Sequence, residues 1–196
     1  MSFNAEWVVL ICLAIFMLYW WLSAPSVKPI EKTQGWLAGN WYTILLLTGF
    51  LLIANFKFLS RLGIPAGWLG ERLLPASFYL DVLVVLLAVG GLTVAIVARR
   101  TLGRNWSGAV AIKSEHELVT AGLYRYIRHP IYTGVLMLAA AAGLSVGTER
   151  AGLGFLIILL GVLLKLRDEE RLLFDHFPRQ YEDYRRRTKR LVPFIW

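Results

Sequence analysis

The sequence has 196 residues, of which 57% are hydrophobic and 17% charged, and its formal net charge is +8. A soluble domain is typically about 45–50% apolar and about 25% charged, whereas several apolar runs here approach the roughly 20 helical residues that cross a bilayer. This composition argues against a soluble domain and predicts an integral membrane protein. The single cysteine, Cys12, excludes an intrachain disulfide, and no Cys/His metal spacing occurs, so no metal is predicted.

The chain order of apolar and polar segments predicts an all-α membrane protein with five transmembrane helices. The first, at about 7–22, ends in Tyr19, Trp20 and Trp21, a cluster typical of a membrane interface. Two prolines in the linker SAPSVKPIEKTQG prevent that helix from continuing. The other four helices are predicted at about 37–59, 78–98, 131–148 and 151–166.

The last two predicted helices are short and only GTER separates them, so we expect a tight helical hairpin. Residues 99–130, before the hairpin, are polar and predicted to be irregular. A charged, amphipathic helix is expected at 167–190, after the hairpin. We predict a single domain, with three helices in residues 1–98 and the other two helices and the tail in residues 99–196.

Basic residues predict the orientation of these helices, since short cytoplasmic loops are enriched in Lys and Arg. Five spans place the first linker, residues 99–130 and the tail on one side, with seventeen basic residues, against four on the other. We therefore expect the polar segment and the C-terminus to be cytoplasmic and the N-terminus to lie on the opposite side. In a membrane protein such basic loops indicate contact with lipid headgroups, so no nucleic acid partner is predicted.

Two polar runs flank the predicted hairpin, LGRNWSGAVAIKSEHELVTAGLYRYIRHPIYTG before it and KLRDEERLLFDHF after it. Because a hairpin returns the chain to its starting side, the two runs can meet. Pro130 disfavours helical geometry at His129 and starts the next helix, whose free first-turn N–H groups suit an anion. These features predict a cytoplasmic site for a zwitterionic or anionic ligand.

Ordinary structural roles account for part of this cluster. Lys165 and Glu169 have the i, i+4 spacing of a helix salt bridge, and Tyr124, Arg125 and Arg128 are typical of headgroup anchoring. Neither role explains the His-Pro pair together with the acids that follow the hairpin. The sequence contains no G-x-G-x-x-G, P-loop, H-E-x-x-H or nucleophile-elbow motif, so hydrolytic and phosphoryl-transfer enzymes are unsupported.

The motifs of the C-terminal half resemble one known family. LGRNWS, HELVTAGLYRYIRHPIYTG, the pair Glu169 and Glu170, FPRQYEDY and a closing VPF together resemble the isoprenylcysteine carboxyl methyltransferase family, which is related to phospholipid methyltransferases. The resemblance covers about residues 100–194. It implies a five-helix membrane enzyme that methylates a lipidic carboxylate with S-adenosylmethionine, the substrate's apolar tail entering from the bilayer.

The same resemblance implies which residues form the site. The implied cofactor-binding residues are His116, Glu117, Leu118, Val119, Tyr124, His129, Pro130, Ile131, Tyr132, Glu169 and Glu170. Where the family has a substrate-side arginine, this sequence has Lys165, which lacks the bidentate fork of arginine; Arg167 is the other candidate for this catalytic role. Pro178 replaces a glycine of the family and is expected to affect only a helix boundary.

Other functions remain open at this point. A phospholipid amine is an alternative acceptor for the same cofactor. Sterol-type membrane reductases share a similar RHP-x-Y-x-G segment but use NADPH and are much longer chains. A lipid-binding or assembly protein without enzymatic activity is the remaining alternative.

Overall fold

The computed structural model describes residues 4–24, 30–33, 36–54, 71–106, 111–113 and 117–193. Over these residues it contains six α-helices and one two-stranded antiparallel sheet. The helices are α1 (Ala5–Ser23), α2 (Trp36–Ile53), α3 (Phe78–Leu102), α4 (Pro130–Val146), α5 (Glu149–His176) and α6 (Pro178–Arg187), and the strands are β1 (Ile30–Thr33) and β2 (Ala111–Lys113). The prediction of a helical fold is confirmed, with the short sheet as an addition.

Capping residues set several of the helix boundaries. The side chain of Asn4 accepts from the backbone N–H of Glu6, that of Ser77 from Leu80 and that of Thr148 from Ala151, which satisfies donors that a helix start leaves free. At the end of α4, Gly147 adopts a left-handed conformation (φ 68°), which glycine tolerates without strain. Gly147 and Thr148 together make the turn of the predicted hairpin.

Two pairs of facing glycines let helices cross closely. A β-carbon on Gly134 of α4 would lie 2.5 Å from the carbonyl oxygen of Gly91 on α3, and one on Gly154 of α5 would lie 2.6 Å from that of Gly49 on α2. Small residues at such crossings allow backbones to approach and are typical of membrane helices. These crossings join α3 to α4 and α2 to α5 around a core that includes Ala88, Leu138, Ile158, Val162 and Leu166.

The outer surface of this bundle is apolar. Trp7, Met17, Trp21 and Tyr79 are among the large side chains that are more than half exposed. Ala5–Ser23 and Phe78–Asn105 are long and apolar enough to cross a membrane, whereas the apolar helices Trp41–Ile53 and Pro130–Val146 are shorter. The number of five spanning helices stays a prediction.

The structure corrects the sequence prediction in two places. The predicted fifth helix and the first part of the tail form one continuous helix, α5, because no proline or glycine interrupts its register between Leu166 and His176. The segment before the hairpin, predicted to be irregular, contributes β2, which pairs with β1 from the linker after α1, with Lys32 opposite Ile112. The break between α5 and α6 falls at Phe177, directly before Pro178, so Pro178 does mark a helix boundary.

Candidate functional site

A cavity of about 350 Å³ lies where α4 begins, beside the middle of α5. Its lining includes the polar residues Glu117, His129, Lys165 and Glu169, called the polar wall below, and many aliphatic and aromatic residues, called the apolar wall. The remaining lining residues come from several elements: Phe16, Trp20, Leu46, Leu102, Asn105, Trp106, Leu118, Val119, Tyr124, Arg128, Ile131, Tyr132, Val135, Val162, Leu172, Leu173, Tyr181 and Tyr184. A mostly apolar lining with a small number of polar groups is typical of a small-molecule site.

The start of α4 positions the polar wall. Pro130 is the first helical residue and His129 is the N-cap, in a non-helical conformation (φ −129°, ψ 56°), as the sequence predicts from the effect of proline on the residue before it. The backbone N–H of His129 donates to the carbonyl of Arg190 at 3.1 Å, and that of Arg128 to Lys189 at 2.8 Å. The C-terminal segment therefore fixes the backbone of the His-Pro turn.

The hairpin brings the acids of α5 to this turn. The Tyr132 hydroxyl donates a short hydrogen bond to Oε1 of Glu169, and Oε2 of Glu169 lies 3.7 Å from Nδ1 of His129. Glu169 lines the cavity and its side chain is 20% exposed. A carboxylate in this position suits a cationic group of a ligand.

Glu170 lies next to Glu169 in the sequence but makes different contacts. Its Oε1 accepts from Nε of Arg128 at 3.0 Å and lies 3.2 Å from Nε2 of His129, while Oε2 accepts from Arg190. Although burial opposes ionisation, the hydrogen bonds from His129, Arg190 and Arg128 outweigh it and hold the pKa of Glu170 well below its usual range. The buried carboxylate of Glu170 is thus ionised and surrounded by three hydrogen-bond donors.

Because the folded state lowers the pKa of Glu170, this carboxylate contributes stability above its unfolded pKa of roughly 4.3, and the contribution is lost as pH falls below that value. We expect the thermal midpoint of the purified protein to fall between about pH 5 and pH 3 by more than that of the Glu170→Gln variant. Melting curves at these pH values check this. Equal falls in the two proteins would contradict the assigned role of Glu170.

Lys165 lies one turn before Glu169 on α5 and is buried, with 7% exposure. Its Nζ is 4.9 Å from the ring centroid of Tyr42 and 5.5 Å from that of Tyr132, so the ammonium contacts two aromatic faces. The backbone places Lys165, Tyr132 and Glu169 on one side of the cavity. A lysine held among aromatic rings supplies a localised positive charge to an anionic ligand.

The structure locates the residues that the resemblance implied. Those lining the cavity are Glu117, Leu118, Val119, Tyr124, His129, Ile131, Tyr132, Lys165 and Glu169. Pro130 and Glu170 are buried but do not line the cavity, and Arg167 is exposed outside it. His116 lies outside the described residues. Of the two candidates for the substrate-side role, Lys165 therefore lines the cavity and Arg167 does not.

Sequence reasoning missed the residues of the apolar wall. Trp20 stacks on Phe16 with ring centroids 4.2 Å apart and meets Trp106 edge-on at 6.0 Å. Arg99 supports this wall, because its guanidinium lies 4.4 Å from the Trp106 ring centroid and donates to the carbonyl of Ser23 at 2.9 Å. The aromatic cluster at the end of α1 is visible in the sequence, but there it indicates a membrane interface and not a ligand site.

Two buried polar atoms at the cavity have no hydrogen-bond partner among the described residues: Oδ1 of Asn105 and the hydroxyl of Tyr181. Both residues line the cavity. Burial and the nearby carboxylate of Glu170 raise the pKa of Tyr181, so its hydroxyl remains a donor at neutral pH. Since buried polar atoms are normally paired, these two atoms favour a polar ligand in this cavity.

The neighbouring Tyr184 closes the site from α6. Its hydroxyl donates to the carbonyl of Tyr124 at 2.7 Å, and burial raises its pKa. Tyr181 and Tyr184 are both buried and belong to the FPRQYEDY stretch. The C-terminal helix is therefore part of the cavity wall.

Fold and cavity together define a class: a bundle of apolar helices with an amphipathic ligand cavity at one end. Within this class, the family model for the isoprenylcysteine carboxyl methyltransferase (ICMT) family matches residues 82–175. The resemblance predicted from the sequence is thus confirmed for residues 82–175, which match the ICMT family model.

Individual relatives agree with the family match. The chain is 32% identical over 98 residues to a probable protein-S-isoprenylcysteine O-methyltransferase of Oryza sativa subsp. indica, covering 48% of this chain and 51% of that protein. It is 33% identical over 96 residues to the protein-S-isoprenylcysteine O-methyltransferase of Schizosaccharomyces pombe, covering 47% of this chain and 41% of that protein. It is also 36% identical over 112 residues to the nickel-cobalt-cadmium resistance protein NccN of Alcaligenes xylosoxydans xylosoxydans, covering 55% of this chain and 50% of that protein.

A solved structure, of the eukaryotic intramembrane Ras methyltransferase ICMT, is similar to this fold with a TM-score of 0.58 and 25% sequence identity. The similarity covers 79% of this chain and 52% of that chain. This chain thus spans about half the length of the relatives named here. The shared helical fold extends beyond the C-terminal region that carries the motifs.

Proposed function

We propose that this protein is an S-adenosylmethionine-dependent methyltransferase that methylates the carboxylate of a lipidic, isoprenylcysteine-like substrate at a membrane. The single observation that carries the proposal is the cavity itself, in which Lys165 and Glu169 present opposite charges one helical turn apart beside an apolar wall. The family region and the relatives' names support it.

The residues present fit S-adenosylmethionine. Glu169 suits an ammonium group, and the unpaired atoms of Asn105 and Tyr181 suit polar atoms of an adenosine. Tyr124 and Tyr132 line the same cavity, and aromatic rings attract cationic groups of a ligand. When bound, this cofactor supplies an electrophilic methyl group.

Lys165 favours a carboxylate acceptor over an amine. A buried ammonium attracts a substrate carboxylate and repels a protonated amine, which weighs against a phospholipid amine as substrate. Because a carboxylate is already ionised at neutral pH, no residue has to act as general base. The chain then contributes proximity, orientation and exclusion of water.

The apolar wall suits the hydrocarbon part of such a substrate. Phe16 and Trp20 of α1 and Leu46 of α2 line the cavity, and both helices expose apolar side chains on their outer faces. We propose a multi-pass membrane location with the cavity mouth and the C-terminus cytoplasmic, as the basic residues predict. A lipid tail then enters from the bilayer while the cofactor enters from water.

Methyl transfer to defined acceptors tests this function. Detergent-purified protein is incubated with radiolabelled S-adenosylmethionine and either a farnesylated cysteine analogue or phosphatidylethanolamine. We expect label in the cysteine analogue, in a base-labile ester. Label in phosphatidylethanolamine alone would replace the proposed substrate by a phospholipid amine, and label in neither would contradict the proposed acceptor class.

Replacing Lys165 should affect the acceptor more than the cofactor. We expect Lys165→Gln to raise the KM for the farnesylated cysteine analogue about 30-fold, because one charge-assisted hydrogen bond to the substrate is lost. The affinity for S-adenosylhomocysteine should change less than twofold. Lys165→Arg, which keeps the charge, should lose less, and Arg171→Gln, on the exposed side of α5, is the matched control. A large KM effect in Arg167→Gln with none in Lys165→Gln would reverse the assignment.

A further inference from the structure

We infer that Glu170 is a positioning residue that fixes which ring nitrogen of His129 carries hydrogen, and so which nitrogen faces Glu169. The functional consequence of this inference rests on the proposed function, because the ring it orients lines the cofactor cavity. The resemblance had implied that Glu170 binds the cofactor directly.

Glu170 lies outside the cavity lining. Glu169 and His129 line the cavity, whereas Glu170 does not, although it directly follows Glu169 on α5. Glu170 is only 9% exposed, and both of its oxygens are engaged by donors of the protein. A carboxylate occupied in this way has little capacity left for a ligand.

The carboxylate of Glu170 determines where the hydrogen on the imidazole of His129 lies. Oε1 of Glu170 lies 3.2 Å from Nε2 of His129. An ionised carboxylate can only accept hydrogen bonds, and the three donors around Glu170 keep it ionised. The hydrogen of this bond therefore belongs to Nε2, in the neutral ring as well as in the cationic one.

The other ring nitrogen of His129, Nδ1, faces Glu169. Nδ1 lies 3.7 Å from Oε2 of Glu169, beyond direct hydrogen-bond distance, while Tyr132 donates to Oε1 of the same carboxylate. The imidazole thus lies between two carboxylates with different roles. Glu170 holds Nε2, and Nδ1 is the nitrogen left on the side of Glu169.

Glu170 also connects the ring to the backbone that frames it. Arg190 donates to Oε2 of Glu170, and the carbonyl of Arg190 accepts from the backbone N–H of His129 at 3.1 Å. Arg128 donates to Glu170 through Nε and, through Nη1, to the carbonyl of Thr188 at 2.6 Å. Side chain and backbone of His129 are therefore held by one connected network, as expected of a group that orients a functional histidine.

Nitrogen NMR of the ligand-free protein tests the inference directly. The sequence has three histidines, and substitution of His116 and His176 by asparagine assigns the signals of His129 in 15N-histidine-labelled protein. In wild-type protein at high pH, where the ring is neutral, we expect the Nε2–H tautomer alone. In Glu170→Gln, whose amide can donate as well as accept, we expect a mixture of tautomers.

Binding of S-adenosylhomocysteine provides the second measurement. We expect Glu170→Gln to weaken it about tenfold, Glu170→Asp to restore the Nε2–H tautomer, and Asp175→Asn, an exposed acid of the same helix, to change neither. An unaltered His129 spectrum in Glu170→Gln would overturn the inference, even if binding is lost. Should Glu170→Gln fail to fold, a tautomer mixture in wild-type protein or in Glu170→Asp would overturn it as well. Because the spectrum needs no ligand, failure of the proposed function would appear separately, as wild-type protein that does not bind.

Discussion

Glu169→Gln is expected to weaken S-adenosylhomocysteine binding about 100-fold, which corresponds to roughly 2.7 kcal/mol. The substitution keeps the volume of the side chain and an oxygen that can accept from the Tyr132 hydroxyl. It removes the negative charge that lines the cavity beside His129. Calorimetric titration of the purified variant measures the change.

Asp168→Asn is the matched control for this substitution, because Asp168 is the preceding acid on α5 and does not line the cavity. We expect its affinity to remain within twofold of the wild-type value. Equal affinities in wild-type protein, Glu169→Gln and Asp168→Asn would contradict the assignment of Glu169 to the cofactor. A loss in Asp168→Asn alone would move the binding acid to the other side of the helix.

Gly134→Val is expected to destabilise the protein by about 3 kcal/mol or more. A β-carbon at Gly134 would lie 2.5 Å from the Gly91 carbonyl oxygen and 2.8 Å from the β-carbon of Ala95. Both contacts are with the backbone or a short side chain of α3, which cannot move aside without separating the two helices. Thermal unfolding in detergent, followed by size-exclusion chromatography, measures the loss of folded protein.

Gly152→Val serves as the control, because a β-carbon at Gly152 meets no atom within 4 Å and this glycine is exposed on α5. Both substitutions place the same β-branched residue in a helix, so the difference between them isolates the effect of packing. If the two variants melt at the same temperature, α3 and α4 do not cross closely at Gly134.

Gly134 also shows what the sequence predicted and what it did not. Its position in RHP-x-Y-x-G identified a family motif, but only the structure shows that this glycine serves the crossing of α3 and α4. Hydrophobic periodicity predicts where helices lie because burial depends on the local pattern. It does not predict which helices cross, since that depends on residues far apart in the chain.

The polar half of the site was accessible to sequence reasoning for a physical reason. A short hairpin between two polar runs forces their side chains together, so His129, Tyr132 and Glu169 could be placed in one site from their spacing and the family resemblance. The apolar wall was not accessible, since Phe16 and Trp20 on α1 are separated from these residues by more than a hundred positions. Nor could spacing distinguish Glu169 from Glu170, which differ only in how α5 faces the cavity.

The proposed function requires that the cavity bind S-adenosylmethionine. Calorimetric titration of the purified wild-type protein with S-adenosylhomocysteine and, separately, with NADPH tests it most directly. We predict saturable binding of S-adenosylhomocysteine at one site per chain and no binding of NADPH. Binding of NADPH without S-adenosylhomocysteine would refute the proposed methyltransferase and favour a reductase, and binding of neither would contradict a cofactor site in this cavity.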